Sequence, residues 1–438
     1  MLHESIYLQS LPNQLSTLSV SRNLHQHGGT QQLLHEPVNR AQQNIESDDW
    51  DLRGTDTQYS TNGMHTWLAA MIPGVARKII EKTRPQRILD PFCGGGTVLV
   101  ESGLNGIPSS GVDINPLAVI LSKAKTTPIG SDALHEELLH VLKRARHDNR
   151  KPMEFPSRSM IDFWYKPYMM KPLSALSRAV RKIHDDNVRT FFLCVFSATA
   201  RDVSLCYRNE IRLRRMEPKQ REKFNPDVMH RFHSRAVDSI QRLKTIPSNI
   251  IAEVKQADIR RLPYSDEEFT TIICSPPYGD ERNGVPYFQF SKNMLYWLGW
   301  KTEDVSSTKA MTLGWVGERT DIPCPPSPTL RELLIKIDGN KRTQLEAVAF
   351  YHDYYNALKE MVRVTSEKIA IVIGKRVLLN TIFDNAQITT ELLQSHGVAL
   401  QHHFVRNLPS KRLPKMREFG AAINQEDIVI YGVSRKNV

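Results

Sequence analysis

The chain has 438 residues, 40% of them hydrophobic and 24% charged. This globular balance excludes a wholly disordered or fibrous polypeptide and sets an expectation of two or three domains, or one decorated domain. The longest apolar run, Phe191–Ala200 between Arg189 and Arg201, falls well short of the ~20 residues that span a bilayer, and the N-terminus lacks the pattern of a secretory signal. Five cysteines form no CxxC pair, so neither a zinc site nor a disulfide framework is expected. The net charge of +11 is uneven: residues 141–244 hold 24 Lys+Arg against 11 Asp+Glu, a surplus of 13, and the rest of the chain is slightly acidic. One segment carries the whole excess, as a face for a polyanion would.

In chain order, residues 1–50 are rich in Gln, Ser, Asn, His and Leu without periodicity and read as a flexible N-terminal arm. Residues 51–130 open a βαβα pattern: a helix at Ile72–Lys82, a buried strand at Arg87–Phe92 and glycines at 94, 95 and 96. A helix at Thr97–Leu104, a strand at Ser110–Ile114 and a helix at Pro116–Lys125 follow, the start of a parallel sheet. Residues 131–248 interrupt the alternation as a basic helical insertion. Leu173, Leu176, Val180 and Ile183 form one apolar stripe with Pro172 at the first helical position. Val228, Phe232, Ala236, Ile240 and Leu243 form another, with Arg231, Arg235 and Arg242 on a different face. Arg208, Arg212 and Arg215 are expected to line one face of the helix before it. Residues 249–438 resume the sheet with strands at Ile251–Ala257 and Thr270–Cys274 and a loop insertion at about 280–340. A helix at Tyr351–Arg363, a strand at Lys368–Ile373, a helix at Thr389–Ser395 and strands near Ala399–Val405 and Asp427–Gly432 complete it. The fold class is α/β, a doubly wound sheet with a helical insertion.

Two constellations carry chemistry. Asp90-Pro-Phe-Cys-Gly-Gly-Gly-Thr97 sits where a strand turns into a helix. Glycines let backbone approach a ligand, and the helix N-terminus offers free N–H groups. Asp113 ends the next strand, where a carboxylate can hold ribose hydroxyls. The spacing points to a nucleoside-containing cofactor and leaves NAD and S-adenosylmethionine both open. The second constellation is the strand Thr270–Cys274 running into Ser275-Pro276-Pro277-Tyr278. The prolines stiffen the loop and remove N–H donors, leaving the Ser275 hydroxyl and the Pro276 carbonyl as acceptors beside the aromatic face of Tyr278. Such a set suits a flat ring bearing an exocyclic NH₂, whose nitrogen lone pair it would turn out of conjugation towards an electrophile.

Together these residues resemble the S-adenosylmethionine-dependent amino methyltransferases of DNA, specifically the cytosine-N4 group with its SPPY loop. The resemblance covers about residues 50–125 and 250–438. It implies a Rossmann-like, seven-stranded class I methyltransferase sheet and S-adenosylmethionine held by Phe92, Gly94, Gly96 and Thr97 with Asp90 and Asp113. Tyr59, Thr61 and His65 lie in a stretch similar to the family's N-terminal cofactor motif, and Asp258 resembles the acid that reads the adenine amino group. Ser275, Pro276, Pro277 and Tyr278 are implied as catalytic. The family commonly has Thr-His-Gly-Leu-His where this chain has Thr61-Asn62-Gly63-Met64-His65. Serine at 275, where adenine-N6 enzymes usually carry Asp, favours cytosine. The same chemistry on adenine N6 or on RNA is the nearer alternative, and a non-catalytic nucleic-acid binder the remote one. The implied partner is duplex DNA in a bacterial or archaeal cytoplasm, at the nucleoid, with or without a separately acting restriction endonuclease; oligomeric state is not indicated. Arg208, Arg212, Arg215, Arg231, Arg235 and Arg412 are the candidate DNA contacts, and no metal is required. Tyr287, Phe288, Phe290, Tyr296, Trp297 and Trp300 are either core or a stacking surface. Pro323-Cys324 is similar to the nucleophile pair of cytosine-C5 enzymes but stands alone and reads as incidental.

Overall fold

The structure is a computed structural model that describes residues 49–434 except 208–212, 280–286 and 409–423. The flexible-arm expectation for residues 1–50 falls almost wholly outside this range, as do Arg208, Arg212 and Arg412.

A single 3-10 turn, Ser60–Met64, precedes helix α1 (Pro73–Thr83), strand β1 (Ile88–Asp90), α2 (Thr97–Leu104), β2 (Ser109–Asp113) and α3 (Pro116–Thr126). The insertion contributes α4 (Ser131–Arg146), α5 (Ile161–Trp164), α6 (Pro167–Val180), α7 (Asp186–Val203), α8 (Pro218–Lys223) and α9 (Val228–Leu243). The chain then returns as β3 (Ala252–Gln256) and β4 (Phe269–Cys274). After α10 (Tyr287–Trp297), α11 (Thr302–Ala310), α12 (Pro328–Lys336) and α13 (Lys341–Val364) it forms β5 (Thr365–Gly374) and a small hairpin, β6 (Arg376–Leu378) with β7 (Thr381–Phe383). Helix α14 (Asn385–Gln394), β8 (Val398–Asn407) and β9 (Gln425–Val433) complete it.

The sheet order is β3-β2-β1-β4-β5-β9-β8. Pairings from β3 through β5 are parallel, and β9 runs antiparallel to both β5 and β8. This is the seven-stranded Rossmann-like sheet that the sequence led us to expect. Alternate side chains of each strand enter different layers, as the period of two dictates. Ile88, Ile273, Ala370, Val372, Ile428 and Ile430 pack towards α1, while Leu89, Ile272, Ile369, Ile371, Ile373 and Val429 pack towards α13 and α14. With both faces covered, β5 reads as the continuous apolar run Ile369–Ile373, each residue at most 2% exposed.

Local signals set the ends of the helices. Pro73 begins α1, and Arg84 ends it in the left-handed region, φ 51°. The Asn115 side chain caps α3 by accepting from the Leu117 amide at 3.1 Å. Helix α6 begins at Pro167, a turn earlier than its apolar stripe suggested, so Pro172 lies inside it; the stripe marks only where the buried face becomes dense. The expected helix carrying Arg215 is corrected. Cys206 and Arg215 form an antiparallel bridge, with Tyr207 donating to the Arg214 carbonyl at 2.9 Å and Met216 to the Leu205 carbonyl at 2.8 Å. Backbone pairing wins there because no apolar stripe rewards a helix. The loop expected at 280–340 is also corrected, since α10, α11 and α12 occupy much of it.

Helices α4, α6, α7 and α9 share one core with α3 and α10, so the insertion packs directly on the sheet domain. The apolar run Phe191–Ala200 is the centre of α7 in that core; among the described residues no helix is long and apolar enough to cross a membrane. Trp297, fully buried, meets Phe155, Tyr165 and Phe196 edge-on and pins α10 to the insertion. Trp297→Ala should therefore destabilise the protein by roughly 3–5 kcal/mol, read as a lower denaturation midpoint, with the loss concentrated in insertion probes such as Trp164 fluorescence.

Candidate active site

The chain passes from β1 outward to β2 and β3, then returns to β4 on the other side of β1. That reversal leaves a crevice at the carboxyl ends of the strands, where ligands bind in open α/β sheets. A cleft opens there, lined by Asp90, Phe92, Gly94, Gly95 and Thr97 after β1, Asp113 and Asn115 after β2, Asp258 after β3, and Ser275 and Pro277 after β4. Its far wall is Trp67–Met71 on one side and Phe288, Thr308 and Met311–Leu313 on the other.

The glycine turn is locked from beneath. Gly94 and Gly96 have φ of 48° and 81°, and a Cβ on Gly96 would stand 3.0 Å from the Ser122 backbone, so only glycine fits. The Asp113 carboxylate accepts from the Gly94 amide at 2.9 Å and the Asn115 amide at 2.8 Å. Lys125, wholly buried, donates to the Gly95 carbonyl at 2.8 Å and the His65 carbonyl at 3.2 Å, and burial lowers its pKa to about 8. Burial raises Asp90 to about 8, with a further push from Asp113. Burial likewise raises Asp113 to about 6 against the opposing pull of its amide donors.

The N-terminal motif is placed differently from Asp90, Phe92, Gly94, Thr97, Asp113 and Asp258, which line the cleft, and expected Gly96 also lies off the lining, against Ser122. Tyr59, Thr61 and His65 do not line the cleft. The Tyr59 hydroxyl donates to the buried Glu101 carboxylate, which also receives Asn62 at 3.2 Å and Arg77 at 3.3 Å. Thr61 is buried. His65 Nε2 meets the Ser197 hydroxyl at 3.0 Å on α7, and burial drops its pKa to about 3, leaving it neutral. These residues hold the 3-10 turn in place, so that Trp67–Met71 can form the cleft wall.

Asp258 lines the cleft and already holds Arg260 at 2.6 Å. Arg260 also reaches Asp353 of α13 at 3.2 Å, and Asp353 accepts from the Gly314 amide at 2.8 Å and Arg319 at 2.9 Å. This knot fixes the 308–313 wall, and nothing in the sequence around Asp353 marked it. Lys125 and Glu101 carried a faint signal, charges within otherwise apolar helical faces.

A second cleft continues from the first through Phe288, Thr312 and Leu313. It begins at Gly279, directly after the Ser275–Tyr278 loop, and is lined by Lys309, Trp315, Arg342, Phe350 and Arg376. Lys309 stands over the Trp315 ring at 5.1 Å, and Trp315 is 41% exposed. Of the aromatic cluster read in the sequence, Phe288 faces both clefts, whereas Phe290, Tyr296 and Trp297 are buried. Cys324 is exposed and lines neither cleft.

Among the candidate DNA contacts, Arg235 is engaged internally, with its guanidinium bidentate to Asp202 at 2.6 and 3.0 Å. Arg215 lies over the Phe163 ring at 4.1 Å, and Arg231 is partly exposed on α9.

The donor set of the first cleft fits S-adenosylmethionine: carboxylates for hydroxyl, amino and cationic groups, an apolar slot formed by Phe92, Ile114 and Ile259, and glycines that any Cβ would obstruct. Strand order and cleft together define a class I S-adenosylmethionine-dependent methyltransferase. The UPF0020 family model (RMKL-like, methyltransferase domain) matches residues 62–150. The chain is 33% identical over 398 residues to the type II methyltransferase M.MvaI of Kocuria varians, covering 82% of this chain and 87% of that protein. It is 28% identical over 105 residues, 22% of this chain and 20% of the other, to the type II methyltransferase M.MjaII of Methanocaldococcus jannaschii. The chain belongs to the type II methyltransferases, S-adenosylmethionine-dependent methyltransferases of DNA. Solved structures align with low scores. The rRNA methyltransferase aviRa of Streptomyces viridochromogenes has a TM-score of 0.28 at 12% identity, covering 83% of this chain and 86% of that one. A SAM-dependent methyltransferase of Methanosarcina mazei has 0.29 at 10%, covering 82% and 98%.

The raised acids make cofactor binding pH-dependent. Asp90 stays largely protonated until about pH 8 and Asp113 until about pH 6. A ligand carrying sulfonium and ammonium charges favours both ionised forms. S-adenosylmethionine affinity should therefore rise between pH 6 and 8, by up to about tenfold per unit for one released proton, and Asp90→Asn should flatten the rise. Calorimetry across that range checks both. The stability that the protein draws from these neutral acids is fully present below the ordinary carboxylate pKa and is lost as pH climbs through about 6 for Asp113 and about 8 for Asp90.

Proposed function

We propose that the protein transfers the methyl group of S-adenosylmethionine to the N4 amino group of a cytosine in duplex DNA. The observation that supports this most is the position of the Ser275–Tyr278 loop. It leaves β4 with Ser275 and Pro277 on the cofactor cleft, and its next residue, Gly279, opens the second cleft. Bound in the first cleft, S-adenosylmethionine supplies an electrophilic methyl group. The chain's own residues do the rest. The Ser275 oxygen and the Pro276 carbonyl accept from the target NH₂ and so turn its lone pair towards the methyl. Tyr278 packs beside the ring, and the 308–313 wall limits water. Most of the rate comes from positioning and fixed dipoles.

Serine rather than Asp at 275 supports cytosine over adenine, through the resemblance of the loop to the N4 group. The second cleft supports a nucleotide substrate: its cations suit phosphate, and Trp315 and Phe288 suit stacking on a base turned out of the helix. Arg231 and Arg215 on the insertion are further candidates for phosphate contact, and the candidates Arg208, Arg212 and Arg412 lie outside the described residues. The protein would act in the cytoplasm of a prokaryotic cell, as an orphan or beside a separate restriction endonuclease.

Digesting methylated duplex to nucleosides and resolving them by mass spectrometry should yield N4-methylcytosine. N6-methyladenine alone would overturn the base assignment and leave the methyltransferase intact. Ser275→Ala should lower turnover on the order of 10²-fold while DNA and S-adenosylmethionine affinities stay near wild type, checked by single-turnover assays with parallel binding titrations.

A further inference from the structure

The side-chain network beyond the catalytic loop has a direction. The Tyr278 hydroxyl donates to Glu426 Oε1 at 3.0 Å, and Ser275 Oγ lies 3.4 Å from Tyr278 Oη. On its other side, Glu426 Oε2 accepts from Arg406 Nη1 at 3.0 Å, and Arg406 is 3% exposed. The sheet fixes these partners, because Glu426 near the start of β9 stands opposite Gly374 of β5 and Arg406 of β8. The Tyr278 ring has little freedom to leave. It lies so close over Gly374 that a Cβ there would come within 2.7 Å of it. Asn385 of α14 donates to the Tyr278 carbonyl at 3.2 Å and the Gly374 carbonyl at 2.8 Å.

Each hydroxyl has one proton to give, and an ionised carboxylate can only accept. Burial raises the pKa of Glu426, while Arg406, a permanent cation bonded to its other oxygen, opposes that rise and favours the ionised form. Tyr278 must then give its proton to Glu426, which leaves its oxygen able only to accept from Ser275. With the Ser275 proton turned towards Tyr278, the lone pairs of the Ser275 oxygen face the cleft. A target amine needs an acceptor there; the reverse order would confront its N–H groups with another donor. The 3.4 Å spacing is at the long end for two hydroxyls, so Glu426 contributes the order of the chain more than its strength.

We propose that Glu426 is a positioning residue for methyl transfer, which polarises the Ser275–Tyr278–Glu426 chain in one direction and thereby makes Ser275 an acceptor for the substrate's amino group. This rests on the reading of Ser275–Tyr278 as the catalytic loop and holds whichever base is methylated. The test is a double-mutant cycle in steady-state kinetics. Glu426→Gln keeps the side chain's size, but its amide can donate as well as accept, so the order is no longer enforced. It should lower kcat about tenfold while the KM values for DNA and S-adenosylmethionine change by less than about twofold. In a Ser275→Ala background, where no acceptor is left to orient, Glu426→Gln should produce no further loss. Tyr278→Phe, which breaks the chain without leaving Arg406 unpaired, should likewise remove the effect of Glu426→Gln and guards against misfolding of the charge variant. An unchanged kcat in Glu426→Gln, or the same fold loss in both backgrounds, would overturn the proposal and make Glu426 only a structural partner of Arg406. Full activity in Ser275→Ala would instead remove the catalytic loop itself, and the inference with it.

Discussion

The Asp113 carboxylate is the junction on which the site depends. It is half-buried on the cleft wall, and it receives backbone amides from two places that the sheet alone does not join, Gly94 in the turn after β1 and Asn115 at the start of α3. Those bonds hold the glycine turn against the neighbouring strand, and Lys125 on α3 draws the same turn and the His65 backbone together from below. The first cleft is thus built by three segments cross-tied through two charges of opposite sign, the buried Lys125 and the half-buried Asp113. Neither is neutralised by a salt bridge with the other. Both instead bind backbone dipoles, which keeps the turn rigid and leaves the carboxylate oxygens beside the space a ligand would fill.

Much of this was legible in the sequence where local chemistry and tertiary need agree. The boundaries of α2 follow from glycine before Thr97 and the apolar run behind it, and Asn115-Pro116 announces α3 through its cap. The β4 strand and its Ser-Pro-Pro-Tyr exit were equally plain, because a short apolar run stopped by prolines has few alternatives. The N-terminal motif was legible as belonging to the site, but its role was not. Spacing cannot distinguish a side chain that touches a ligand from one that braces the wall, and Tyr59 and His65 brace. The stretch around Arg214 and Arg215 deceived because charged residues are good helix formers in isolation, while its backbone is paired as a bridge. Asp353 gave no signal at all: its partners Arg260, Gly314 and Arg319 lie 93, 39 and 34 residues away, and only the packed fold brings them together.

The basic insertion illustrates how charge and position separate. Composition located the excess correctly, yet Arg235 spends its charge on Asp202, and the helices bury a shared core with α3 and α10 rather than forming a detached arm. By contrast, the cations of the second cleft beside the Ser275–Tyr278 loop, Lys309, Arg342 and Arg376, belong to a region with no compositional excess. Net charge counts residues, whereas recognition depends on which charges the fold leaves facing a groove.

The placement of β9 has a consequence for how the enzyme comes into being. This strand follows β8 in the chain but lies between β8 and β5, hydrogen-bonded to both. During synthesis β8 therefore has no strand to join until β9 has emerged from the ribosome, and β5 presents an open edge throughout that interval. Glu426 arrives on the same strand. The residues that line the first cleft, Trp67 through Leu313, have all been made before β9 arrives to close the sheet and to give the hydroxyl of Tyr278 its carboxylate partner. The lining of the cleft and the carboxylate that orders the hydroxyl of Tyr278 are therefore made at different times, and closure of the sheet comes with the second.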